Sequence, residues 1–354
     1  MIISRTPYRI SFFGGGTDYP DWYLDNGGQA LSTTIDKYLY ISCRYLPPFF
    51  EHRLRLVYSR IEECQHSSAL DHPSAREVLK FLGIKGGLEI HYDGDLPGRS
   101  GLGSSSSFTV GLLNALYAYQ GRKVAQHHLA MESIHIEQDL IKETVGSQDQ
   151  VNAAYGGLNR IQFKQSGKII VDPITVPKER LETLNGNLML FYTGIMRTAE
   201  KVAKSYVEDL QAKKKQLVRM HAMVDEAIKI LLEGHININD FGFLLNEAWQ
   251  EKRSLSKMVS NPQIDEIYDT AISAGALGGK LSGAGGGGFL LLYVPIEKQP
   301  DIKQKLSRLL HVPFSFEPKG SQIIFYDRQK KYKKEEMAHA ENIHSPFVEL
   351  KDIK

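Results

Sequence analysis

The sequence predicts a two-domain α+β protein, and three observations carry that reading. The chain has 354 residues, more than one ordinary core holds and enough for two domains of about 150–200 residues each. In the first half, strand-like runs come before helix-like runs and do not alternate with them. That order favours segregated layers over a doubly wound parallel sheet. Pro173 and Pro177 punctuate the chain near its middle, and a second series of strand and helix patterns follows. The expected organisation is therefore a domain over 1–175, a domain over 176–330 and a charged tail over 331–354.

The elements follow in order. Tyr38–Ser42, Leu54–Tyr58 and Leu88–Tyr92 mix β-branched and aromatic residues with period-two alternation and read as strands. A helix after Ser107 carries Phe108, Leu112, Leu113, Leu116 and Tyr119 on one broad face, and a second helix covers about 123–143. Leu158–Phe163 and Lys168–Val171 read as a strand pair, and Asn187–Tyr192 as the first strand of the second half. One long amphipathic helix is expected through Val202, Tyr206, Leu210, Leu217, Met220, Val224 and Leu231, with Gly234 as its stop. A helix over Ile264–Ala274, a run of glycines and a continuous apolar strand, Phe289–Val294, complete the series. The tail sets Lys330, Lys331, Lys333 and Lys334 ahead of Glu335 and Glu336, the pattern of a solvated segment. No internal repeat is present.

Composition narrows the function classes. Hydrophobic residues make up 42% and charged residues 24%, as in ordinary globular proteins. A formal net charge of +2 gives no basic field for nucleic acid or anionic membrane. Cys43 and Cys64 are the only cysteines, with no ligand-like spacing, so neither a disulfide framework nor a zinc site is expected. The first residues lack a signal-peptide pattern, and no apolar run approaches the roughly 20 residues that span a bilayer. The expectation is a cytoplasmic protein acting on a small molecule, with a homodimer left open.

Three glycine-rich segments carry the chemistry. The central one, Leu96-Pro97-Gly98-Arg99-Ser100-Gly101-Leu102-Gly103-Ser104-Ser105-Ser106-Ser107, leaves a strand and opens a helix. Such a turn offers unpaired backbone N–H groups at the positive end of a helix dipole, which is how proteins hold phosphate. Two familiar motifs fail here. Gly98 to Gly103 fits the start of a Walker A pattern, but Ser104-Ser105 stand where a lysine and a hydroxyl residue belong. Gly283-Ala284-Gly285-Gly286-Gly287-Gly288 satisfies G-x-G-x-x-G but leads into a strand, which is wrong for a dinucleotide fingerprint. Taken alone, each loop also reads as a flexible turn. His127, His128 and His135 lack a second ligand set and read as surface and partial core.

Together the segments say more. Pro7-Tyr8-Arg9-Ile10-Ser11-Phe12-Phe13-Gly14-Gly15-Gly16-Thr17-Asp18-Tyr19, the segment Pro97 to Ser107, and Lys280-Leu281-Ser282-Gly283 to Gly288 resemble, in order, the three motifs of the GHMP kinase superfamily. The resemblance covers at least 1–330. It implies an N-terminal S5-like α+β domain, a C-terminal ferredoxin-like α+β domain, and ATP with Mg2+ as cofactors. By the same resemblance, Pro97, Gly98, Gly101, Leu102, Gly103, Ser104, Ser105, Ser106 and Ser107 would hold the nucleotide. Glu137 lies twelve residues before Asp149-Gln150, the separation found in galactokinase-like members. Glu137 and Ser105 would then hold magnesium, Asp149 would act on the acceptor hydroxyl, and Arg9 would sit beside it. Phosphoryl transfer asks a protein for just such positioning, charge neutralisation and a proton-accepting carboxylate.

One departure bears on the substrate. Galactokinase and mevalonate kinase carry a Gly-Glu-His type sequence in the first motif, where this chain has Gly14-Gly15-Gly16. Gly15, Gly16, Thr17, Asp18, Gly285, Gly286 and Arg197 are the expected substrate contacts, with Arg197 or Arg99 as candidates for an anion on the substrate. The Gly-Gly-Gly-Thr-Asp form and Ser32-Thr33-Thr34-Ile35-Asp36-Lys37-Tyr38 are most similar to bacterial heptose 7-phosphate kinases, then to fucokinase-type enzymes. That implies phosphorylation of the anomeric hydroxyl of D-glycero-D-manno-heptose 7-phosphate, toward nucleotide-activated heptose for surface polysaccharide. The alternatives are a kinase of an unphosphorylated sugar such as fucose or galactose and, less in keeping with an intact Glu137/Asp149 pair, a silent sugar sensor. A decarboxylase of the mevalonate branch fits Asp149-Gln150 least.

Overall fold

The computed structural model describes residues 1–98, 100–195, 199–207, 210–327 and 332. Its frame is a nine-stranded sheet around two long strands, β1 (Ile2–Phe13) and β2 (Gly28–Tyr45), joined through the short helix α1 (Pro20–Asn26). The first residues of β1 alternate, but every residue from Thr6 to Phe13 is buried, because the sheet is covered on both faces there. The β1–β2 register slips at Pro7/Tyr8, a place where a residue without an N–H costs no ladder bond. Strand β2 changes partner along its length, which lets so long a strand serve two parts of the sheet. Its last residues pair with β5 (Leu88–Gly94) and its first five with β6 (Asn159–Phe163). Between them in the chain lie β3 (Leu54–Val57), parallel to β5, its partner β4 (Ile61–Cys64), and α2 (Pro73–Phe81).

Helix α3 (Ser104–Tyr119) follows the central glycine loop and packs on β1 and β2. The expected helix over 123–143 is shorter: α4 (Gln126–His135) runs into a single π turn, Ile136–Leu140, and ends before Lys142, which has φ 63°. Wider turns of this kind re-aim one side chain. Here the re-aimed residue is Glu137, fully buried against α3. Helix α5 (Gln148–Tyr155), β6 and β7 (Ile169–Pro173) complete this part.

The second half opens with α6 (Lys178–Gly186) and β8 (Leu188–Tyr192). The single long helix expected through Val202 to Leu231 is two: α7 (Ala199–Val207) and α8 (Lys214–Leu232), separated by a 3-10 turn at Gln211–Lys213. Hydrophobic period reports which side is buried, and both helices bury the same side, so the period runs across the break. Then come α9 (Asp240–Leu255), α10 (Pro262–Ser273), β9 (Gly278–Leu281), β10 (Phe289–Tyr293), α11 (Gln299–Lys305) and β11 (Leu310–His311). A four-stranded antiparallel sheet in the order β11-β8-β10-β9 results, and α8 and α9 lie between it and the first sheet.

The expected boundary at 175 falls between β7 and α6, but the second domain does not keep all of 176–330. Strands β12 (Phe316–Glu317) and β13 (Gln322–Tyr326) return to pair with β2 and β1. The free edge of β1 needs a partner, and the chain supplies one from far along its length. Apart from Tyr332, the tail over 331–354 lies outside the described residues. Among the described residues, no helix is long and apolar enough to cross a membrane.

Candidate active site

The three glycine segments converge on one cleft of about 380 Å3 between the two sheets. Segments two and three touch backbone to backbone. Gly101 (φ 83°) and Gly283 (φ 68°) face each other so closely that a Cβ on Gly101 would stand 2.5 Å from the Ser282 carbonyl oxygen. A Cβ on Gly283 would stand 2.7 Å from Gly101 Cα. Two glycines with positive φ are thus required for the loops to meet. The Phe289 N–H donates to the Ser100 carbonyl and tightens the seam.

Helix α3 begins at this seam, capped by Gly103 with no side-chain cap, and Ser104, Ser105 and Ser106 of its first turn line the cleft. The N-terminal end of the helix, with its backbone N–H groups and the positive end of its dipole, thus faces the cleft, the arrangement that suits an anion. Not all of the expected nucleotide residues face the cleft. Pro97 and Gly98 are exposed, Leu102 is buried in the core, and the Ser107 hydroxyl donates to the Pro7 carbonyl at 3.0 Å.

Arg9 and Asp149 form a bidentate pair, with Nε and Nη2 each 2.7 Å from a carboxylate oxygen, while Nη1 donates to the Gly101 carbonyl at 2.8 Å. One buried guanidinium thus ties the phosphate-type loop to a carboxylate that is 26% exposed to the cleft. Asp149 also sits in the first turn of α5, at the positive end of the helix dipole.

Asp18 stands beside this pair, 2% exposed. It accepts from the Gly16 N–H and from Gln148 Nε2, both at 2.9 Å. Burial raises its carboxyl above the usual range; the Gly16 hydrogen bond offsets part of that, and the Asp149 charge adds to it. Gly15 and Gly16 line the cleft as expected. Thr17 does not: its hydroxyl donates to the Gly14 and Gln29 carbonyls, because the tight turn needs those groups satisfied. In the glycine run of the third segment, Gly283 to Gly288, the residues facing the cleft are Gly283 and Ala284. Gly285 and Gly286 pack on Val259 behind them. Arg197 and Arg99 lie outside the described residues.

Of the two expected magnesium residues, Ser105 lines the cleft and Glu137 is fully buried. The Ser106 hydroxyl donates to Glu137 Oε2 at 2.8 Å, while Ser105 is exposed one position round the helix. Gln150 Nε2 also reaches Oε2, at 2.5 Å. Glu137 Oε1 is buried with no hydrogen-bond partner. Burial pushes the Glu137 carboxyl up to about 7, against the neighbouring Thr109 and Ser106 hydroxyls, which act the other way. An orphaned carboxylate oxygen beside a hydroxyl suits a hard cation that takes its remaining oxygens from phosphate. Among the described residues, no group of three His, Cys, Asp or Glu is placed to hold a metal.

Lys252, Lys280, Tyr19, Tyr206 and Ser11 also line the cleft. Tyr19 and Gln148 adjoin Asp18 and Asp149 in sequence, a signal that spacing alone offered. Lys252 and Tyr206 come from helices of the second half, where a lysine or tyrosine at helical spacing announces nothing.

Comparison with known proteins fits this geometry. The family described as GHMP kinases N terminal domain matches residues 72–157, and that described as GHMP kinases C terminal matches 226–311. The chain is 30% identical to a D-glycero-alpha-D-manno-heptose 7-phosphate kinase of Campylobacter jejuni, over 90% of this chain and 97% of that protein. It is 25% identical to a galactokinase of Pyrococcus furiosus, over 90% and 96%. Its fold superposes on a crystal structure of a D-glycero-D-manno-heptose 1-phosphate kinase from Bacteriodes thetaiotaomicron with TM-score 0.76 and 22% identity, covering 93% and 100%. With both family regions matched and a 30% relative spanning nearly the whole chain, the protein belongs to the GHMP kinase family and is an ATP-dependent phosphotransferase.

Proposed function

We propose that this protein is a sugar kinase that phosphorylates the anomeric hydroxyl of D-glycero-D-manno-heptose 7-phosphate. The observation that carries the chemistry is the bidentate Arg9–Asp149 pair standing between the N-terminus of α3 and Asp18. The acceptor identity is supported by the similarity to the heptose 7-phosphate kinase relative and by the room that Gly15 and Gly16 leave in the cleft.

The residues divide the work. The first-turn N–H groups of α3 hold the nucleotide phosphates, and Asp18 accepts from sugar hydroxyls with its remaining lone pairs. Asp149 orients the acceptor hydroxyl and takes its proton; Arg9 holds the carboxylate in place. The acceptor oxygen forms its bond to phosphorus as the bond from phosphorus to the bridging oxygen breaks. That electron pair stays with the departing diphosphate, and the proton on Asp149 passes to solvent. Glu137 and Ser105, with Ser106 bonded to that carboxylate, are the residues that would hold Mg2+, which when bound would supply charge neutralisation at the phosphates.

A panel of sugars with and without a terminal phosphate, assayed by ADP release, tests the reading. Turnover of heptose 7-phosphate well above that of neutral sugars is expected. Turnover confined to neutral sugars such as fucose or galactose overturns it.

A further inference from the structure

Helix α9 buries a regular stripe: Phe241, Leu244, Leu245, Ala248, Trp249, Lys252 and Leu255. Six of these are core side chains at i, i+3 and i+4 spacing. The seventh is a lysine, 5% exposed, in the position where an apolar residue is expected. Its ammonium ends in the cleft and donates to the Gly283 carbonyl, at the seam where the second and third glycine segments meet. It makes no ion pair among the described residues. A neutral carbonyl compensates a buried cation poorly, whereas an anionic oxygen forms a charge-assisted bond.

We propose that Lys252 is a catalytic residue, whose ammonium moves from the Gly283 carbonyl to an oxygen of the phosphoryl group in transit from nucleotide to acceptor. The proposal rests on the placement of acceptor and phosphates given above. In the step already written, Lys252 exchanges no proton; it neutralises charge on the transferring group while bonds to phosphorus form and break. The charged groups coupled to it are Arg9 from β1, Asp18 from the loop after it, Asp149 from α5 and Lys280 from β9, and Tyr19, Glu143 and Tyr206 line the same cleft. Burial first and the Arg9 charge second push the Lys252 ammonium down to about 8, with Asp18 and Asp149 acting the other way. Lys252 is thus cationic below that pH and loses its charge above it. A bound phosphate shifts the loss to higher pH.

Lys252→Met and Lys252→Arg test the assignment, with Asp149→Asn run alongside and folding followed by circular dichroism. Lys252→Met is expected to lower kcat by about 100-fold or more while the KM for ATP stays within about threefold. Wild-type kcat/KM is expected to fall above about pH 8, and Lys252→Arg, whose charge persists, to lose that alkaline fall while recovering most of kcat. A residue that merely pins the Gly283 loop would instead raise the KM for ATP and leave the pH profile unmoved. A Lys252→Met kcat within threefold of wild type, while Asp149→Asn is inactive, overturns the proposal and leaves the acceptor-side reading standing. Should Lys252→Met not fold, survival of the alkaline fall in Lys252→Arg overturns it equally.

Discussion

Replacing Glu137 with glutamine isolates the cost of keeping a buried carboxylate ready for a cation. Burial raises this carboxyl from its ordinary 4.5 to about 7. At about 1.4 kcal/mol per pH unit, that rise corresponds to about 3 kcal/mol of stability. The sign follows from proton counting: between pH 4.5 and 7 the folded protein holds a proton on Glu137 that the unfolded chain has released. The stabilisation is complete below pH 4.5 and lost as pH rises through about 7. In the Glu137→Gln protein the amide oxygen faces Ser106 and Gln150, and the amide NH2 takes the place of the orphaned Oε1. Nothing there ionises. Denaturant unfolding without ligand is therefore expected to show the variant more stable by up to about 3 kcal/mol at pH 8, with the difference shrinking toward pH 5. The difference between the two proteins is the quantity to read, because the raised Asp18 carboxyl bends both curves in the same direction. Magnesium with nucleotide should reverse the order by stabilising the wild type more, and transfer by the variant should fall by about 100-fold or more. A difference in stability that stays flat from pH 5 to 8 would refute the burial argument.

Three further outcomes are expected. Asp149→Asn should lower kcat by a factor of about 10²–10⁴ with nucleotide binding retained in a fluorescent-analogue titration, and near-wild-type turnover would remove Asp149 from the chemistry. Gly101→Ala should cost about 1–2 kcal/mol from positive φ alone and more from the 2.5 Å approach to Ser282; an unchanged unfolding midpoint and ATP KM would show that the seam yields freely. Asp18→Asn presents one acceptor oxygen to two donors, Gly16 N–H and Gln148 Nε2. The acceptor KM should rise by about 10-fold or more with the ATP KM unmoved, and a rise in both would point to general distortion.

Much of the fold was legible because its signals are local. Alternation over Leu54–Tyr58 and Leu88–Tyr92 pointed to the strands Leu54–Val57 and Leu88–Gly94, and the continuous apolar run Phe289–Val294 to the strand Phe289–Tyr293. β1 escaped as a strand because both its faces are covered from Thr6 onward, which erases the period of two. The break between α7 and α8 escaped because helices joined by a short turn can keep one buried side in phase. Within the site, Arg9, Asp18 and Asp149 were found by motif and spacing, and the geometry brings them together. The serine that bonds to Glu137, Ser106, was not singled out from its neighbours. A run of four serines does not say which hydroxyl a helix turns inward, and a π turn on the partner helix sets the answer.

The sequence by itself determined the kind of chemistry. Glycine where the backbone needs positive φ, a helix start without a side-chain cap, and an arginine and two carboxylates set at characteristic positions are all encoded within short segments. The tertiary structure alone decided which groups meet. Gly101 finds Gly283, Ser106 finds Glu137, β13 closes on β1, and Lys252 reaches the cleft from a helix stripe that looks like core. Those pairings depend on how distant segments pack, and packing responds to the shape and burial of every neighbour at once, which no local pattern records.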